Sequence, residues 1–402
     1  MPDKIETVGV VGLGVMGFDI AFLYAMKGYR TVAYDAATAV AESFIDRVEG
    51  TIERLKRRNR ISEDEVENVR NGLTVSETLD GLTGLNLVTE AVSEVANTKR
   101  SVYRALRDRG CKGILTTNTS SIPREALLEG GSYDRKRFAS THFFNPVLYT
   151  QMVELVQGDM NEPFFKTTIS FLKSLGRHPV ETRDISGFVS NSILMYYAVM
   201  ALHLLQSGAR IEEIDQAAKQ MGVLPPFISF DSWKPSIVED VTKVMFQSRG
   251  DRFLRSSKLL TVLAQDNPRF YVDQKPNQEI YNFVGERQHF SAEDTIKKAL
   301  KATIHVAAAR VVELGEDPRQ VDFISVDGLK IPQPPLKEID TIGATALVEQ
   351  VEQIKTEIPE SELAAPEILK AMANERQRFY NDGQPNLWIT SFLQRPASHA
   401  CD

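Results

Sequence analysis

The stretch "TVGVVGLGVMGFDIAFLYAMKGYRTVAYDAA", residues 7–37, decides how the first half of the chain is read. It opens with a β-rich run, Thr7 to Val11, and continues with Gly12, Gly14 and Gly17 in the spacing G-x-G-x-x-G. A helical segment closed by Gly28 comes next, then a second strand, Tyr29 to Tyr34, ending at Asp35. A glycine pattern alone is weak. Strand, glycines, helix, strand and terminal acid within one unit are a specific signal for a dinucleotide fold. Gly12 allows the tight turn, Gly14 lets the backbone approach a pyrophosphate, and Gly17 permits close helix–strand packing. Val15 and Met16 fall in the first helical turn, whose N–H groups and positive dipole end suit phosphates. Asp35 would accept from a ribose 2′-hydroxyl and repel a 2′-phosphate, which favours NAD over NADP. The plainer alternative is a glycine-rich turn in some other α/β fold, with Asp35 a mere strand-end acid.

Further strands are expected at 73–75, 85–91, 113–118, 137–143, 151–156 and 178–182, with helical segments between several of them. This is the pattern of a doubly wound, mainly parallel Rossmann sheet. A helical insertion falls near 38–72, where Ser62 and Glu65 form a capping box. Its basic run, Lys56, Arg57, Arg58 and Arg60, reads by default as a solvated helix face. A nucleic-acid patch and a phosphate site are the alternatives.

With 402 residues there is room for two or three domains. A net charge of −7 argues against a general nucleic-acid binder. Two cysteines, Cys111 and Cys401, exclude a disulfide scaffold and fit a reducing compartment. No apolar run reaches membrane-spanning length, residues 3–11 make a poor signal peptide, and the tail "RPASHACD" carries no C-terminal address. A cytoplasmic protein is expected.

In "STHFFNPVLYTQMVELV", residues 140–156, one histidine and one glutamate flank an apolar segment broken by Asn-Pro. His142 and Glu154 are too far apart to meet on one helix, and can meet only if the segment folds back as two neighbouring strands. The plain reading is a buried structural histidine bonded to a nearby acid.

"TNTSSIPREAL", "THFFNPV" followed by "MVELV", and "DISGFVSNSIL" together resemble the 3-hydroxyacyl-CoA dehydrogenase family, most closely over residues 6–200. The resemblance implies NAD-dependent, reversible oxidation of an (S)-3-hydroxyacyl thioester. His142 matches the family's catalytic base and Glu154 its carboxylate partner. Ser121 and Asn191 match residues that hold the substrate's 3-oxygen. Asn145, Glu94 and Lys99 match positions around the cofactor, and Lys56, Arg57 and Arg58 fall near the coenzyme A contact. Taken singly, Ser121 and Asn191 are ordinary capping or turn residues. Alternatives within the same chemistry are a free 3-hydroxy acid or sugar acid as substrate. A non-catalytic NAD-binding relative is the alternative from another class.

Beyond Ser186 the sequence turns helical. Two passes share a long apolar helix, a glycine break, an aspartate (Asp215, Asp322), a glycine (Gly222, Gly328), a proline turn and a second aspartate (Asp231, Asp340). The expected layout is a Rossmann domain over 1–185, then an all-α region of two related helical units, 186–290 and 291–402. "AQDNPRFYVDQKPNQE" between them reads as a linker or exposed excursion. The layout is similar to the dehydrogenase portion of multifunctional fatty-acid oxidation proteins, and a second unit could replace a dimer partner, leaving a monomer. His203, His289, His305 and His399 lack metal-ligand spacing and read as structural or surface residues, so no metal is expected. The chain departs from the family at Leu148-Tyr149-Thr150, at Ser192 where arginine is common, and at Pro225-Pro226-Phe227. These surround the acyl or pantetheine path, so they leave the acyl group open.

Overall fold

The computed structural model describes residues 4–284 and 293–395. His289, His399 and the expected boundary at 290/291 lie outside the described residues. The chain divides into two compact units, Met1–Asp184 and Ile185–Asp402.

The first unit is built on one eight-stranded sheet in the order β3-β2-β1-β4-β5-β6-β7-β8. Its strands are β1 (Thr7–Val11), β2 (Arg30–Tyr34), β3 (Leu73–Val75), β4 (Leu87–Glu90), β5 (Ile114–Thr117), β6 (Phe138–Phe143), β7 (Met152–Val156) and β8 (His178–Glu181). All neighbours run parallel except β6 and β7. β4, β5, β6 and β7 are buried along their whole length, which is why they read as continuous apolar runs rather than alternating ones. Helix α1 (Val15–Met26) is apolar almost all round and buries nine of its twelve residues. Phe18 packs edge-on against Phe44 at 5.4 Å, and Tyr24 against Phe171 at 5.0 Å. The strand order reverses between β2-β1 and β4-β5, which opens the crevice where such sheets take a dinucleotide.

The insertion between β2 and β3 forms a short helix, Thr38–Glu42, then α2 (Phe44–Arg57) and α3 (Glu63–Gly72). The Ser62 hydroxyl accepts from Glu65 N at 3.2 Å and Glu65 accepts from Ser62 N at 3.1 Å, the reciprocal bonds of the expected capping box.

The second unit is helical apart from two small hairpins. Its main helices are α4 (Ser190–Gln206), α5 (Pro235–Arg249) and α6 (Glu293–Glu313). One hydrogen-bond constellation occurs twice. Asp215 accepts from Phe227 N and the Tyr271 hydroxyl, both at 2.9 Å; Asp322 accepts from Leu336 N at 2.9 Å and the Tyr380 hydroxyl at 2.8 Å. Asp231 accepts from Phe270 N and Tyr271 N, and Asp340 from Phe379 N and Tyr380 N. In each case one carboxylate receives the first amides of a proline-started helix and another pins a hairpin.

The stretch 264–279 is therefore no linker. Tyr271–Val272 and Lys275–Pro276 form a hairpin, Phe270 is fully buried, and Asp231 and Asp215 tie it to the unit. Its polar composition reflects the turn and the exposed strand faces, which hid the anchoring aromatics Phe270 and Tyr271. No described helix is long and apolar enough to cross a membrane.

His203 lies on α4, 6% exposed and 6.0 Å from the Phe253 ring, with no hydrogen-bond partner at Nδ1. Burial pushes its pKa down to about 4. The unfolded chain takes up a proton near pH 6.5 that the folded chain refuses until about pH 4. Stability is thus complete above pH 6.5 and falls as pH drops through this window, by roughly 3 kcal/mol from this residue. Urea unfolding at pH 7.5 and 5.0 should show about 2 kcal/mol of that loss in the wild type and a flatter profile in His203→Gln.

Candidate active site

Gly12 has φ +89°, and a Cβ there would lie 2.7 Å from Val92 N. A Cβ on Gly17 would lie 1.8 Å from Gly12 O, so the helix can approach the turn only with glycine here. A Cβ on Gly14 would meet nothing within 4 Å, so this glycine leaves open space over the turn. Gly14 also begins α1 without a side-chain cap, so no side chain competes for the first-turn amides. Val15 and Met16 stand in that turn, Val15 exposed and Met16 half-buried.

Asp35 directs its carboxylate first at its own loop. Oδ2 accepts from Leu13 N at 2.7 Å and Oδ1 from Ala37 N at 2.8 Å. A carboxylate oxygen can accept more than one bond, so this ties the glycine turn to β2 without closing the ribose role. Arg47 on α2 donates to Leu13 O at 2.7 Å and stacks 4.2 Å over Phe18. No spacing in the sequence points to it. An open glycine cradle, an uncapped helix start and an acid ending β2 fit a dinucleotide such as NAD.

β6 and β7 pair antiparallel, with His142 directly opposite Glu154. The chain reverses through Asn145-Pro146, a cis peptide, and the Thr150 hydroxyl donates to Phe144 O at 2.8 Å. His142 Nδ1 and Glu154 Oε2 are 2.8 Å apart, with His142 7% and Glu154 0% exposed. The carboxylate therefore fixes the tautomer with the proton on Nδ1, which makes Nε2 the ring's acceptor nitrogen. Asn118 Oδ1 accepts from Phe143 N at 3.0 Å and holds the end of β6. Asn145 is exposed just beyond that end.

Ser121 lies on the turn after β5, and Glu94 organises that turn. Glu94 Oε1 accepts from the Thr119 hydroxyl at 2.6 Å, Ser120 N at 2.7 Å, Ser121 N at 2.9 Å and the Ser121 hydroxyl at 3.2 Å. Burial works to raise the Glu94 carboxyl, but Lys99 and these donors outweigh it and hold it below the usual range. Lys99 is wholly buried, 3.3 Å from Glu94 and 2.9 Å from Glu90. It underpins Glu94 from within the unit. Glu90, the last residue of β4, escaped the sequence reading because an acid ending an apolar run carries no spacing signal.

The basic run sits where α2 ends, a position favourable to cations. Arg58 Nη1 donates to the Tyr149 hydroxyl at 3.1 Å, and Arg60 lies 5.7 Å from the centre of the same ring. Arg57 is exposed. Lys56 is paired with the exposed Glu63 at 2.8 Å.

In the second unit, Asn191 stands half-buried in the first turn of α4. The approach to it bends at Gly187 (φ +79°), where a Cβ would lie 2.6 Å from the Met245 sulfur. Ser192 receives Arg249 of α5, whose Nη2 is 2.7 Å from the Ser192 hydroxyl and also donates to Ser186 O. Burial pulls the Arg249 pKa down to about 10. His305 is buried against Glu338 at 3.1 Å. No group of three or more His, Cys, Asp or Glu suited to a metal occurs among the described residues.

Residues 7–185 match the family description "3-hydroxyacyl-CoA dehydrogenase, NAD binding domain", and residues 187–281 match "3-hydroxyacyl-CoA dehydrogenase, C-terminal domain". The chain is 24% identical over 402 residues to a "Fatty acid oxidation complex subunit alpha" from Shewanella amazonensis, covering 94% of this chain. It spans only 57% of that relative's length. It is 33% identical over 223 residues to a "3-hydroxybutyryl-CoA dehydrogenase" from Mycobacterium tuberculosis, covering 54% of this chain and 77% of that one. A crystal structure of a 3-hydroxybutyryl-CoA dehydrogenase from Escherichia coli shares the fold, with a TM-score of 0.75 at 19% identity. It covers 92% of this chain and 99% of its own.

Gly17→Ala should lower stability at the upper end of the roughly 1–3 kcal/mol expected for overpacking. It should also abolish NADH binding followed by nicotinamide fluorescence. Retained binding would show that the turn opens without loss.

Proposed function

We propose, from the premise that the chain belongs to the 3-hydroxyacyl-CoA dehydrogenase family, that it interconverts an (S)-3-hydroxyacyl thioester and the 3-oxoacyl thioester with NAD. The observation that carries the reading is the buried His142–Glu154 pair beside the C-terminal edge of a dinucleotide-binding sheet.

Oxidising a secondary alcohol breaks one C–H and one O–H bond as C=O forms. NAD, when bound, supplies the hydride acceptor. The proton goes to His142 Nε2, and Glu154 stabilises the imidazolium through Nδ1–H. In reverse, the imidazolium returns the proton to the carbonyl oxygen. Ser121 donates its hydroxyl to Glu94 over a long 3.2 Å bond, and turning that O–H onto the substrate oxygen supplies a donor for the developing charge. For Asn191, in the first turn of α4, the family resemblance alone supports a substrate-binding role. Gly12, Gly14, Val15, Met16, Gly17 and Asp35 hold the adenosine and pyrophosphate half of NAD, with Asn145 and Glu94 toward the nicotinamide and Lys99 behind Glu94.

Arg57 and Arg58 serve the coenzyme A phosphates, with Lys56 secondary. A free 3-hydroxy acid is the second reading. The observation that favours it is Tyr149, whose hydroxyl already occupies Arg58 and adds a polar group beside the catalytic turn. We read the helical region as two copies of one unit, supported by the repeated aspartate constellation, with a monomer and a cytoplasmic location as the matching expectations.

The test is NADH oxidation with acetoacetyl-CoA, longer 3-oxoacyl-CoAs and free 3-oxo acids, with NADPH as control. His142→Ala should lose roughly 10²–10⁴-fold in kcat while NADH still binds. Full activity in that variant would remove His142 as the base. Charge reversal at both Arg57 and Arg58 should raise KM for the thioester with kcat little changed. An unchanged KM with an active free acid would favour the second reading.

A further inference from the structure

Glu90, Lys99 and Glu94 form a chain of charges beneath the Ser121 turn, the first two wholly buried and Glu94 partly exposed. Glu90 receives four donors: Val92 N at 2.7 Å, Lys99 Nζ at 2.9 Å, the Tyr103 hydroxyl at 2.6 Å and the Thr117 hydroxyl at 2.7 Å. Val92 N and Lys99 Nζ can only donate, and an acceptor-only carboxylate satisfies all four bonds together. For Lys99, burial pulls the ammonium down, but Glu90 and Glu94 outweigh it and hold it above its ordinary range. The Tyr103 phenol is raised by burial, then by Glu90, and stays neutral. Two carboxylates and one ammonium leave one net negative charge. Glu90 and Lys99 are 0% exposed, so water screens that charge little.

Its location gives it a consequence. Glu90 ends β4 and Thr117 ends β5, on the far side of the strand-order reversal from Asp35 at the end of β2. A dinucleotide laid across that reversal with its adenosine ribose at Asp35 has its nicotinamide half over β4 and β5. The oxidised nicotinamide ring carries a positive charge and the reduced ring none.

We propose that Glu90 is an electrostatic positioning residue: through Lys99 and Glu94 it keeps one net negative charge under the nicotinamide end of the crevice, favouring NAD+ over NADH. Tighter binding of the oxidised form makes bound NADH the stronger hydride donor, so the device biases the enzyme-bound equilibrium toward the 3-hydroxy compound. A fixed charge serves this because it needs no reorganisation as the ring changes charge. The inference rests on NAD binding by residues 7–185, and the experiment separates the two.

Dissociation constants for NAD+ and NADH are measured by calorimetry for the wild type, Glu90→Gln and Lys99→Gln. Glu90→Gln takes the chain from one net negative charge to none and should cut the NAD+-to-NADH affinity ratio about tenfold, the scale of a unit charge acting over roughly 10 Å at a partly buried site. Lys99→Gln takes it to two and should raise the ratio by a similar factor. Damage to packing alone weakens both forms together and leaves the ratio unchanged. Opposite shifts support the proposal; an unchanged ratio, or shifts of one sign, overturn it. Where one variant fails to fold, the sign in the other decides, with Glu94→Gln expected to follow Glu90→Gln. A wild type that binds neither form would remove the NAD reading itself.

Discussion

The bond from His142 to Glu154 is the constraint around which the first unit is arranged. A carboxylate with no exposed surface must be met by a partner, and the imidazole meets it at 2.8 Å. The pair exists because β6 and β7 are the one antiparallel step in an otherwise parallel sheet. A parallel step would have needed a long crossover, and a one-residue slip would have turned one of the two side chains to the opposite face. β8 then continues the sheet beyond β7, with Val180 beside Glu154 in register. Sheet extension and chemistry are thus one structural decision.

The cofactor end is arranged by close approach. Gly12 and Gly17 let the turn and α1 lie against each other, and Asp35 and Arg47 fasten Leu13 through its amide and its carbonyl. The turn is therefore held by bonds that leave the surface over Gly14 open. At the Ser121 turn the same economy appears with charge. Glu94 gathers four donors of the Ser121 turn on one oxygen, while Lys99 bridges it to Glu90 below.

What could be read from sequence follows from how local the cause is. The β1–α1–β2 unit was legible because its glycines, strand ends and acid fall within one short segment whose geometry fixes their roles. The His142–Glu154 register was legible because a single turn separates the partners. The capping box at Ser62 was legible for the same reason. Glu90 was not, since its donors come from Lys99, Tyr103 and Thr117 on other elements, and nothing in "LVTEA" announces them. Arg47 and Arg249 were missed because each acts on a partner more than thirty residues away. Of the two readings of 264–279, linker or exposed excursion, the structure excludes the linker, because one buried aromatic and two distant aspartates anchor an otherwise polar stretch. Charge counting likewise does not reveal that Lys56 pairs with Glu63 across the turn after α2.

The central claim is that Glu154 fixes which nitrogen of His142 carries the proton. Nitrogen NMR of the protein labelled in its histidine rings, recorded near neutral pH, tests it most directly. The account predicts a protonated Nδ1 and an unprotonated Nε2 for His142, with that preference lost in Glu154→Ala. A His142 ring protonated at Nε2 and bare at Nδ1 in the wild type would contradict it, because the nitrogen assigned to take the substrate proton would already be occupied.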